Sequence, residues 1–249
     1  MALPDSRPVL WITGAGSGMG RAIAVSAARQ GHRVALSGRR PELLRETAEA
    51  VEVVGGEFLI APMDVASASD ARSVHRDIEG AWGPVTRLVA AAGLNRPDRY
   101  WRDQSMAGFA SVVETNLTGC ARVVDAVLPG MREAGDGVIV LISSVSGWQF
   151  SPDAGVAYSA SKTALSSLTR TLNAQEKRHG IRACCLCPGD VDTAFLAQRP
   201  VVPDDDARRS MLTPVDIAAA TQFVLDSPSH VCIDELVITP VVRAGGEAA

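Results

Sequence analysis

The sequence has no excess of positive charge and no long run of apolar residues. Its 249 residues carry 24 lysines and arginines against 28 aspartates and glutamates, a net charge of −4, so it lacks the basic character of nucleic-acid or anionic-lipid binders. No run approaches the ~18–20 apolar residues of a membrane span, and the first residues lack the apolar stretch of a secretory signal. We therefore expect a cytoplasmic protein with no nucleic-acid or membrane partner.

Cysteine is sparse, and its spacing is not that of a metal site. Of five cysteines, Cys184, Cys185 and Cys187 fall in one short apolar run without CxxC spacing or a nearby histidine. Cys184 and Cys185 would point to opposite faces of a strand, which disfavours the alternative of a shared metal ion. We predict that they are core residues in a reducing compartment and that there is no metal site.

Nothing in the sequence divides the chain into two domains. Linkers rich in glycine and serine, blocks of like charge and internal repeats are all absent. Hydrophobic residues make up 47% of the chain and charged residues 21%, which suffices for one core. We predict a single domain over residues 1–249 with flexible ends at about 1–7 and 243–249.

Short apolar runs alternate with helical stretches along nearly the whole chain. Strands are predicted at Val9–Thr13, Arg33–Ser37, Phe58–Ala61, Arg87–Ala91, Gly137–Ile142, Arg182–Leu186 and Glu235–Ile238. Helices are predicted to begin near Gly18, Pro41, Ser67, Asn116, Ala157 and Pro214. The alternation indicates an α/β protein, a doubly wound Rossmann fold of about seven parallel strands with helices on both faces. Because the strands are continuously apolar, we expect both of their faces to be buried.

A glycine-rich loop leaves the first predicted strand and opens a helix. Gly14, Gly18 and Gly20 do not follow GxGxxG spacing, because Met19 and Arg21 stand where that pattern needs its last glycine. Backbone N–H groups and the positive end of the helix dipole would surround an anion there. The loop predicts a diphosphate site, and the alternative is an ordinary glycine turn.

The second predicted strand ends in a basic pair rather than in an acid. NAD-specific enzymes place Asp or Glu ~20 residues beyond the glycine loop to bind the ribose hydroxyls, whereas this chain has Gly38, Arg39 and Arg40. Two guanidinium groups can hold a ribose 2′-phosphate by charge-assisted hydrogen bonds. This favours NADP, and the alternative is a pair of solvated arginines at a helix start.

Tyr158 and Lys162 are four residues apart in a predicted helix, on one face of it. Lowering the pKa of a tyrosine by about 3 units requires about 4 kcal/mol, which one cation ~4 Å away can supply. Tyr158 is then a candidate general acid and base. Ser144 follows the fifth strand, where doubly wound sheets bind ligands, and could hydrogen-bond the reacting oxygen.

These motifs, in this order, resemble those of the short-chain dehydrogenases/reductases over essentially the full chain. The family's TGxxxGxG and PGxVxT motifs are matched, and the family's adenine-contacting acid is matched by Asp64. The resemblance implies a catalytic tetrad of Asn116, Ser144, Tyr158 and Lys162. It implies cofactor contacts from Thr13, Gly14, Ser17, Gly18, Met19, Gly20, Arg39, Arg40, Asp64, Val65, Ala91, Gly93, Tyr158, Lys162, Pro188, Gly189, Val191 and Thr193.

The resemblance also implies a reaction. Tyr158 would donate a proton to a ketone or aldehyde oxygen while NADPH delivers hydride, with the reverse for alcohol oxidation. Lys162 would lower the tyrosine pKa and hold the nicotinamide ribose, Ser144 would orient the carbonyl, and Asn116 would fix a water. The alternatives are an NAD-dependent alcohol dehydrogenase and, against the intact tetrad, a non-catalytic dinucleotide-binding regulator.

The sequence departs from the family at two places that bear on the cofactor. Ala90–Gly93 reads Ala-Ala-Ala-Gly where the family has Asn-Asn-Ala-Gly, which predicts a cost in stability or cofactor affinity. Ser17 stands where NADP enzymes often carry a basic residue. Arg39 is therefore the main evidence for NADP.

The surroundings of the tetrad predict a partly apolar substrate pocket. The candidate substrate residues are Ser144, Trp148, Phe150, Tyr158 and Phe195. The alternative is that Trp148 and Phe150 pack under a loop or at a subunit contact.

Two further expectations concern charge and assembly. Arginines after the fourth strand either meet an acidic substrate or are exposed loop residues; they are Arg96, Arg99 and Arg102. The resemblance implies a homodimer or homotetramer paired through the helices that begin near Asn116 and Ala157. Their apolar positions Val123, Val124, Val127, Leu165, Leu168 and Leu172 would supply that contact.

Overall fold

Seven parallel strands form one sheet in the computed structural model, which describes residues 7–241. The strands are β1 (Val9–Thr13), β2 (Arg33–Ser37), β3 (Glu57–Ile60), β4 (Arg87–Ala90), β5 (Gly137–Ile142), β6 (Ile181–Pro188) and β7 (Glu235–Ile238). Their order is β3-β2-β1-β4-β5-β6-β7. The direction of winding reverses between β1 and β4, and ligands of such sheets bind outside the carboxyl ends of the strands at that point.

Nine α-helices are present in the part of the chain that the structure describes. They are α1 (Gly18–Arg29), α2 (Pro41–Val53), α3 (Ala68–Trp82), α4 (Met106–Val113), α5 (Gly119–Ala134), α6 (Val145–Trp148), α7 (Val156–Glu176), α8 (Asp205–Arg209) and α9 (Pro214–Leu225). None of the helices among residues 7–241 is long and apolar enough to cross a membrane.

The two faces of the sheet bury alternate residues of the same strands. Trp11, Leu88 and Ile139 pack on one face under α3, α5 and α7. Leu10 and Val89 pack on the other face under α1, α2 and α9. The predicted α/β doubly wound fold is confirmed, because the apolar runs form parallel strands with helices on both sides.

The expectation of two fully buried faces is wrong for the edge strands. Every residue of β3 and β7 is partly exposed, whereas every residue of β1, β2, β5 and β6 is buried. An edge strand has a neighbour on one side only, so its side chains are less completely covered.

The helix expected to begin near Asn116 begins ten residues earlier, and that boundary is a correction. Ser105 caps α4 by accepting the Gly108 N–H at 3.0 Å. The helix then continues through a π-helical turn at Glu114–Thr118, which contains Asn116, into α5. Such π-turns insert a residue into a helix and often lie at functional sites.

The cysteines of β6 pack on both faces of the sheet, as their spacing predicts. Cys184 lies in one core cluster and Cys185 in the other, and all five thiols are free. Cys185 and Cys187 share a face, with their Sγ atoms 3.8 Å apart and the Glu235 carboxylate beside them. The absence of a metal site stays a prediction.

The predicted single domain, residues 1–249, extends beyond the residues that the structure describes. Residues 1–6 and 242–249, which include nearly all of the ends expected to be flexible, lie outside the described residues. The first and last strands of the single sheet begin at residue 9 and end at residue 238.

Candidate active site

The loop between β1 and α1 can be built only with glycine at its key positions. Gly14 and Gly18 have φ values of 67° and 52°, a region that side chains rarely adopt. A Cβ on Gly20 would lie 2.2 Å from the Gly14 carbonyl oxygen. The backbone at the start of α1 is therefore open to a close ligand approach, and the Ser17 side chain at the N-cap makes no capping hydrogen bond.

A cavity of about 180 Å³ lies over this loop. Most of the predicted cofactor residues line it, namely Gly14, Ser17, Gly18, Met19, Gly20, Arg39, Arg40, Asp64, Val65, Ala91, Gly93 and Thr193. Arg39 and Arg40 are exposed at its rim, and within residues 7–241 neither has a carboxylate partner within 4 Å. Their charges are therefore available to an anionic ligand.

A second cavity, of about 660 Å³, adjoins the first. The two share the wall residues Met19, Ala91, Gly93, Thr193 and Phe195. The second contains the remaining predicted cofactor residues Tyr158, Lys162, Pro188, Gly189 and Val191, apart from Thr13. Thr13 is buried below the loop, where its Oγ1 accepts the Ala92 N–H at 3.2 Å.

The loop after β4, which has alanines in place of the family's amides, is held by two other side chains. Thr13 binds its Ala92, and Asn116 binds both backbone groups of Leu94, Oδ1 accepting the N–H at 2.8 Å and Nδ2 donating to the carbonyl at 2.9 Å. Asn116 also donates to the Ser161 Oγ at 3.2 Å. The cost expected from the missing amides stays a prediction.

Ser144, Tyr158 and Lys162 line the larger cavity together. Ser144 follows β5 and caps α6, accepting the Ser146 N–H at 3.1 Å, and its hydroxyl is close enough to the Tyr158 phenol to lower the pKa of that phenol. Tyr158 and Lys162 lie one turn apart on α7, with the Lys162 Nζ 5.7 Å from the centre of the phenol ring. Asn116 lies behind this group, near Gly93 and Lys162.

Lys162 is a buried ammonium with a carbonyl partner. Its Nζ donates to the Ile142 carbonyl at 2.6 Å, and the Ser143 hydroxyl donates to the Lys162 carbonyl at 2.8 Å. Burial lowers the pKa of Lys162 to about 8. The ammonium therefore remains mostly protonated at neutral pH, at a cost in folding free energy.

That cost leads to a prediction for Lys162→Met. Between pH 8 and 10.5 Lys162 binds more protons in the unfolded chain than in the folded one, so the contribution of this residue to wild-type stability rises with pH across this window. Removing the buried charge recovers ~1.4 kcal/mol for each unit by which the pKa is lowered, and leaving the Ile142 carbonyl without its donor offsets part of that gain. At pH 7 the variant is therefore expected to be more stable than the wild type by about 2 kcal/mol. The gap is expected to narrow above pH 8. Denaturant unfolding at pH 7 and 9.5 measures both effects.

Lys177→Met is the matched control for this measurement. Lys177 lies just after the same helix with a half-exposed side chain paired to Asp234 at 3.4 Å, and its loss is expected to change stability by less than ~1 kcal/mol. A Lys162→Met protein that is less stable than wild type at pH 7 would contradict the assignment of a destabilising buried charge.

The pKa of Tyr158 moves in the opposite direction from the one expected from the sequence. Burial raises it, and the opposing influences are the Ser144 hydrogen bond and then the charges of Arg199 and Arg99. Lys162 was expected to lower this pKa, but its ammonium is bound to the Ile142 carbonyl and lies 5.7 Å from the ring centre. In the protein by itself, the phenol is therefore held in its protonated form.

The expected substrate residues do not all meet in the cavity. Phe195 does, with its ring centre 6.1 Å from that of Tyr158. Trp148 and Phe150 do not line it and are 51% and 89% exposed, because the short helix α6 ends between them and turns both outward. Gln149 lines the cavity in their place.

Two arginines line the cavity wall, Arg99 and Arg199, and nothing in the sequence indicated Arg199. Arg99 was weighed only as one of three loop arginines, and it is 5% exposed. Arg96 and Arg102 pair instead with the neighbouring acids Asp98 and Asp103. No local pattern distinguishes the buried arginine from the other two.

The apolar positions expected at a subunit contact are already used within the monomer. Val123, Val124, Val127, Leu165 and Leu172 are buried in the core beneath α5 and α7, and only Leu168 is partly exposed. These faces pack on the sheet, so they are not available to a second copy. A homodimer or homotetramer stays a prediction that needs a different contact surface.

Comparison with known proteins shows the family of this chain. A family model described as short chain dehydrogenase matches residues 8–201. The chain belongs to the short-chain dehydrogenase family. A short-chain dehydrogenase similar to this one is an uncharacterized oxidoreductase of Staphylococcus aureus (strain MW2), 31% identical over 230 residues, 92% of this chain and 96% of the relative.

Solved short-chain dehydrogenase structures share the fold. An alcohol dehydrogenase from the archaeon Thermococcus sibiricus, complexed with 5-hydroxy-NADP, has a TM-score of 0.84 and 30% identity over 95% of this chain and 97% of its own. A short chain dehydrogenase from Mycobacterium paratuberculosis bound to NAD has a TM-score of 0.81 and 28% identity over 93% and 96%. One of these two neighbours therefore holds an NADP derivative, and the other holds NAD.

Proposed function

We propose that this short-chain dehydrogenase transfers hydride between NADP(H) and a small ketone or aldehyde, or the corresponding alcohol. The observation that carries the proposal is the meeting of Ser144, Tyr158 and Lys162 in a cavity that adjoins the glycine loop. A proton donor, a carbonyl-binding hydroxyl and a dinucleotide loop at one sheet edge are the parts that such a reaction requires.

The residues over β1 and β4 fit a dinucleotide. The cradle at Gly14 and Gly20 has no room for a side chain, since a Cβ on either would lie within 3 Å of backbone. The N–H groups at the start of α1 would hold the diphosphate, and Asp64 would lie at the adenosine end. The bound nicotinamide would supply or accept the hydride.

The choice of NADP depends on Arg39 and Arg40. Both lie at the cavity rim, and Gly38 stands where an NAD enzyme would have its acid. A 2′-phosphate would bring two negative charges to two cations without carboxylate partners among the described residues, whereas NAD would not. Since related structures hold NADP compounds and NAD, these two side chains are the evidence for NADP.

Tyr158 would act as the proton donor in the reducing direction. Its raised pKa keeps the phenol protonated at neutral pH, which suits a general acid. The Ser144 hydroxyl would bind the carbonyl oxygen beside the phenol. Lys162 would contribute positive charge below the site, and Asn116, whose Nδ2 donates to Leu94 and Ser161 and whose Oδ1 accepts from Leu94, would hold the loop and α7 in register.

A substrate screen tests the proposal. Purified protein is expected to oxidise NADPH in the presence of at least one class among ketones, aldehydes and 3-oxoacyl thioesters, and to do so faster than it oxidises NADH. Faster turnover with NADH would point to the NAD-dependent alternative. Binding of a dinucleotide without turnover of any class would favour a non-catalytic regulator.

The same preparation tests the proposed homodimer or homotetramer. Light scattering at micromolar concentration is expected to give at least twice the chain mass of 26.1 kDa, and a mass equal to one chain would contradict it.

A further inference from the structure

Arg99 is a buried cation without a carboxylate partner in the part of the chain that the structure describes. It is 5% exposed, and its Nη2 donates to the Gln198 carbonyl at 2.7 Å. Its Nη1 lies 3.4 and 3.5 Å from the carbonyl oxygens of Asp153 and Ala154, and its Nε has no acceptor. Among residues 7–241, neutral carbonyl groups are thus its only hydrogen-bond acceptors.

Burying such a charge costs folding free energy unless a counter-ion in the site compensates it. Removing a cation from water without a counter-ion costs several kcal/mol in folded proteins, and burial accordingly lowers the pKa of Arg99. The guanidinium nevertheless remains charged, because arginine does not deprotonate at physiological pH. Uncompensated charges of this kind are concentrated at ligand sites.

The second arginine of the wall, Arg199, extends the positive region. It pairs with Asp190, and both side chains line the same cavity. The other carboxylate of the wall, Asp153, is exposed; its backbone carbonyl accepts from Arg99, and its charge acts on Arg99 through space without an ion pair within 4 Å. Apart from Lys162, the wall therefore has two arginines and two aspartates, of which only Arg199 and Asp190 are paired.

The two arginines line the same cavity as Tyr158. They are the positive charges that lower the pKa of Tyr158, Arg199 more than Arg99. Phe195 stacks near the same ring, at 6.1 Å between centres, and gives the cavity one apolar wall. An anionic group beside the arginines would bring a carbon next to it close to the phenol.

We propose that the substrate is an oxo acid or hydroxy acid whose carboxylate is bound by Arg99 and Arg199 while its carbonyl or alcohol carbon faces Tyr158. This inference rests on the proposed oxidoreductase function and names its substrate class. The carboxylate supplies the counter-ion that Arg99 lacks among the described residues, and its two oxygens match the guanidinium geometry.

The competing interpretation is that Arg99 has only a structural role, connecting its own loop to the neighbouring loops through the Gln198, Asp153 and Ala154 carbonyls. Loss of a structural contact would lower kcat/KM for charged and neutral substrates equally. A carboxylate site would affect charged substrates alone, so matched acids and esters distinguish the two roles.

The experiment compares the 2-, 3- and 4-oxo isomers of pentanoate with their methyl esters, using NADPH and NADH in turn. Wild-type kcat/KM is expected to be at least about tenfold higher for one of the acids than for its ester. Arg99→Gln is expected to lower kcat/KM for that acid by about 10- to 150-fold, the equivalent of a charge-assisted bond of ~1.5–3 kcal/mol, and to leave the ester within twofold.

Two variants accompany Arg99→Gln. Arg199→Gln is expected to lower the acid rate selectively as well, and it decides the question if Arg99→Gln does not fold. Arg102→Gln is the matched control, since Arg102 lies in the same loop with a side chain 80% exposed and is expected to change neither rate. Equal losses on acid and ester in both cavity variants, or a wild-type preference for esters, would overturn the inference.

A binding measurement separates this inference from the proposed function. In calorimetry with the oxidised dinucleotide present, benzoate is expected to bind at least tenfold more tightly than benzamide, and Arg99→Gln to abolish the difference. If no oxo compound is reduced but benzoate binds in this way, the proposed function fails and the carboxylate site stands. The carboxylate site would be overturned if benzoate bound no more tightly than benzamide, or if it bound less tightly than inorganic phosphate.

Discussion

Tyr158→Phe is expected to lower kcat by about 10²–10⁴-fold while leaving cofactor affinity unchanged. The substitution removes only the phenolic oxygen, which is the proton donor, and a positioned general acid is typically worth that factor. The ring remains, so its contact with Phe195 at 6.1 Å is kept. Steady-state turnover on one substrate, together with fluorescence titration of NADPH, measures the two quantities.

Tyr100→Phe is the control, because it removes the same atom from the only other tyrosine in the sequence. It is expected to change kcat by no more than a few-fold. If Tyr158→Phe retained near-normal turnover, the assignment of the proton donor would be wrong, and the chain would be better described as a dinucleotide-binding protein whose tetrad is idle.

Arg39→Ala is expected to weaken NADPH binding by about 10- to 150-fold and to leave NADH nearly unchanged. Arg39 would form a charge-assisted bond with the 2′-phosphate worth ~1.5–3 kcal/mol, and NADH has no such group. Both cofactors are titrated against the wild type and the variant, and the ratio of the four dissociation constants gives the selectivity.

Arg45→Ala controls for the loss of one positive charge. Arg45 is exposed on α2 and does not line the cavity. The Arg45→Ala variant is therefore expected to bind both cofactors as tightly as the wild type does. A wild-type protein that prefers NADH, or an Arg39→Ala variant that weakens both cofactors equally, would contradict the assignment of NADP.

Much of the fold was predictable because its signals are local. Each strand is an apolar run bounded by polar or glycine residues, so β1, β2 and β5 lie where the sequence predicts them. The order of apolar and helical stretches implies the parallel sheet. The glycine loop was recognisable because its backbone conformation demands glycine at Gly14, Gly18 and Gly20.

The helix boundary at Asn116 and the outward turn of Trp148 and Phe150 were not predictable in the same way. The π-helical turn is stabilised by what Asn116 contacts, namely the Leu94 backbone and Ser161, which are distant in sequence. Trp148 is the last residue of a four-residue helix that packs on α7, and Phe150 follows that helix. Residue type alone does not indicate which face of so short an element is buried.

The sequence by itself determined the fold class, which follows from the alternation of apolar and helical stretches, and its resemblance to the short-chain dehydrogenases/reductases supplied the family and the candidate catalytic and cofactor residues. Only the tertiary structure decided the electrostatics of the site: a raised pKa for Tyr158, a lowered one for Lys162, and a buried Arg99 in the cavity wall. The physical reason is that the energy of a charge depends on its burial and on its neighbours in space. For Tyr158 those neighbours, Arg99 and Arg199, come from separate loops that only folding brings together.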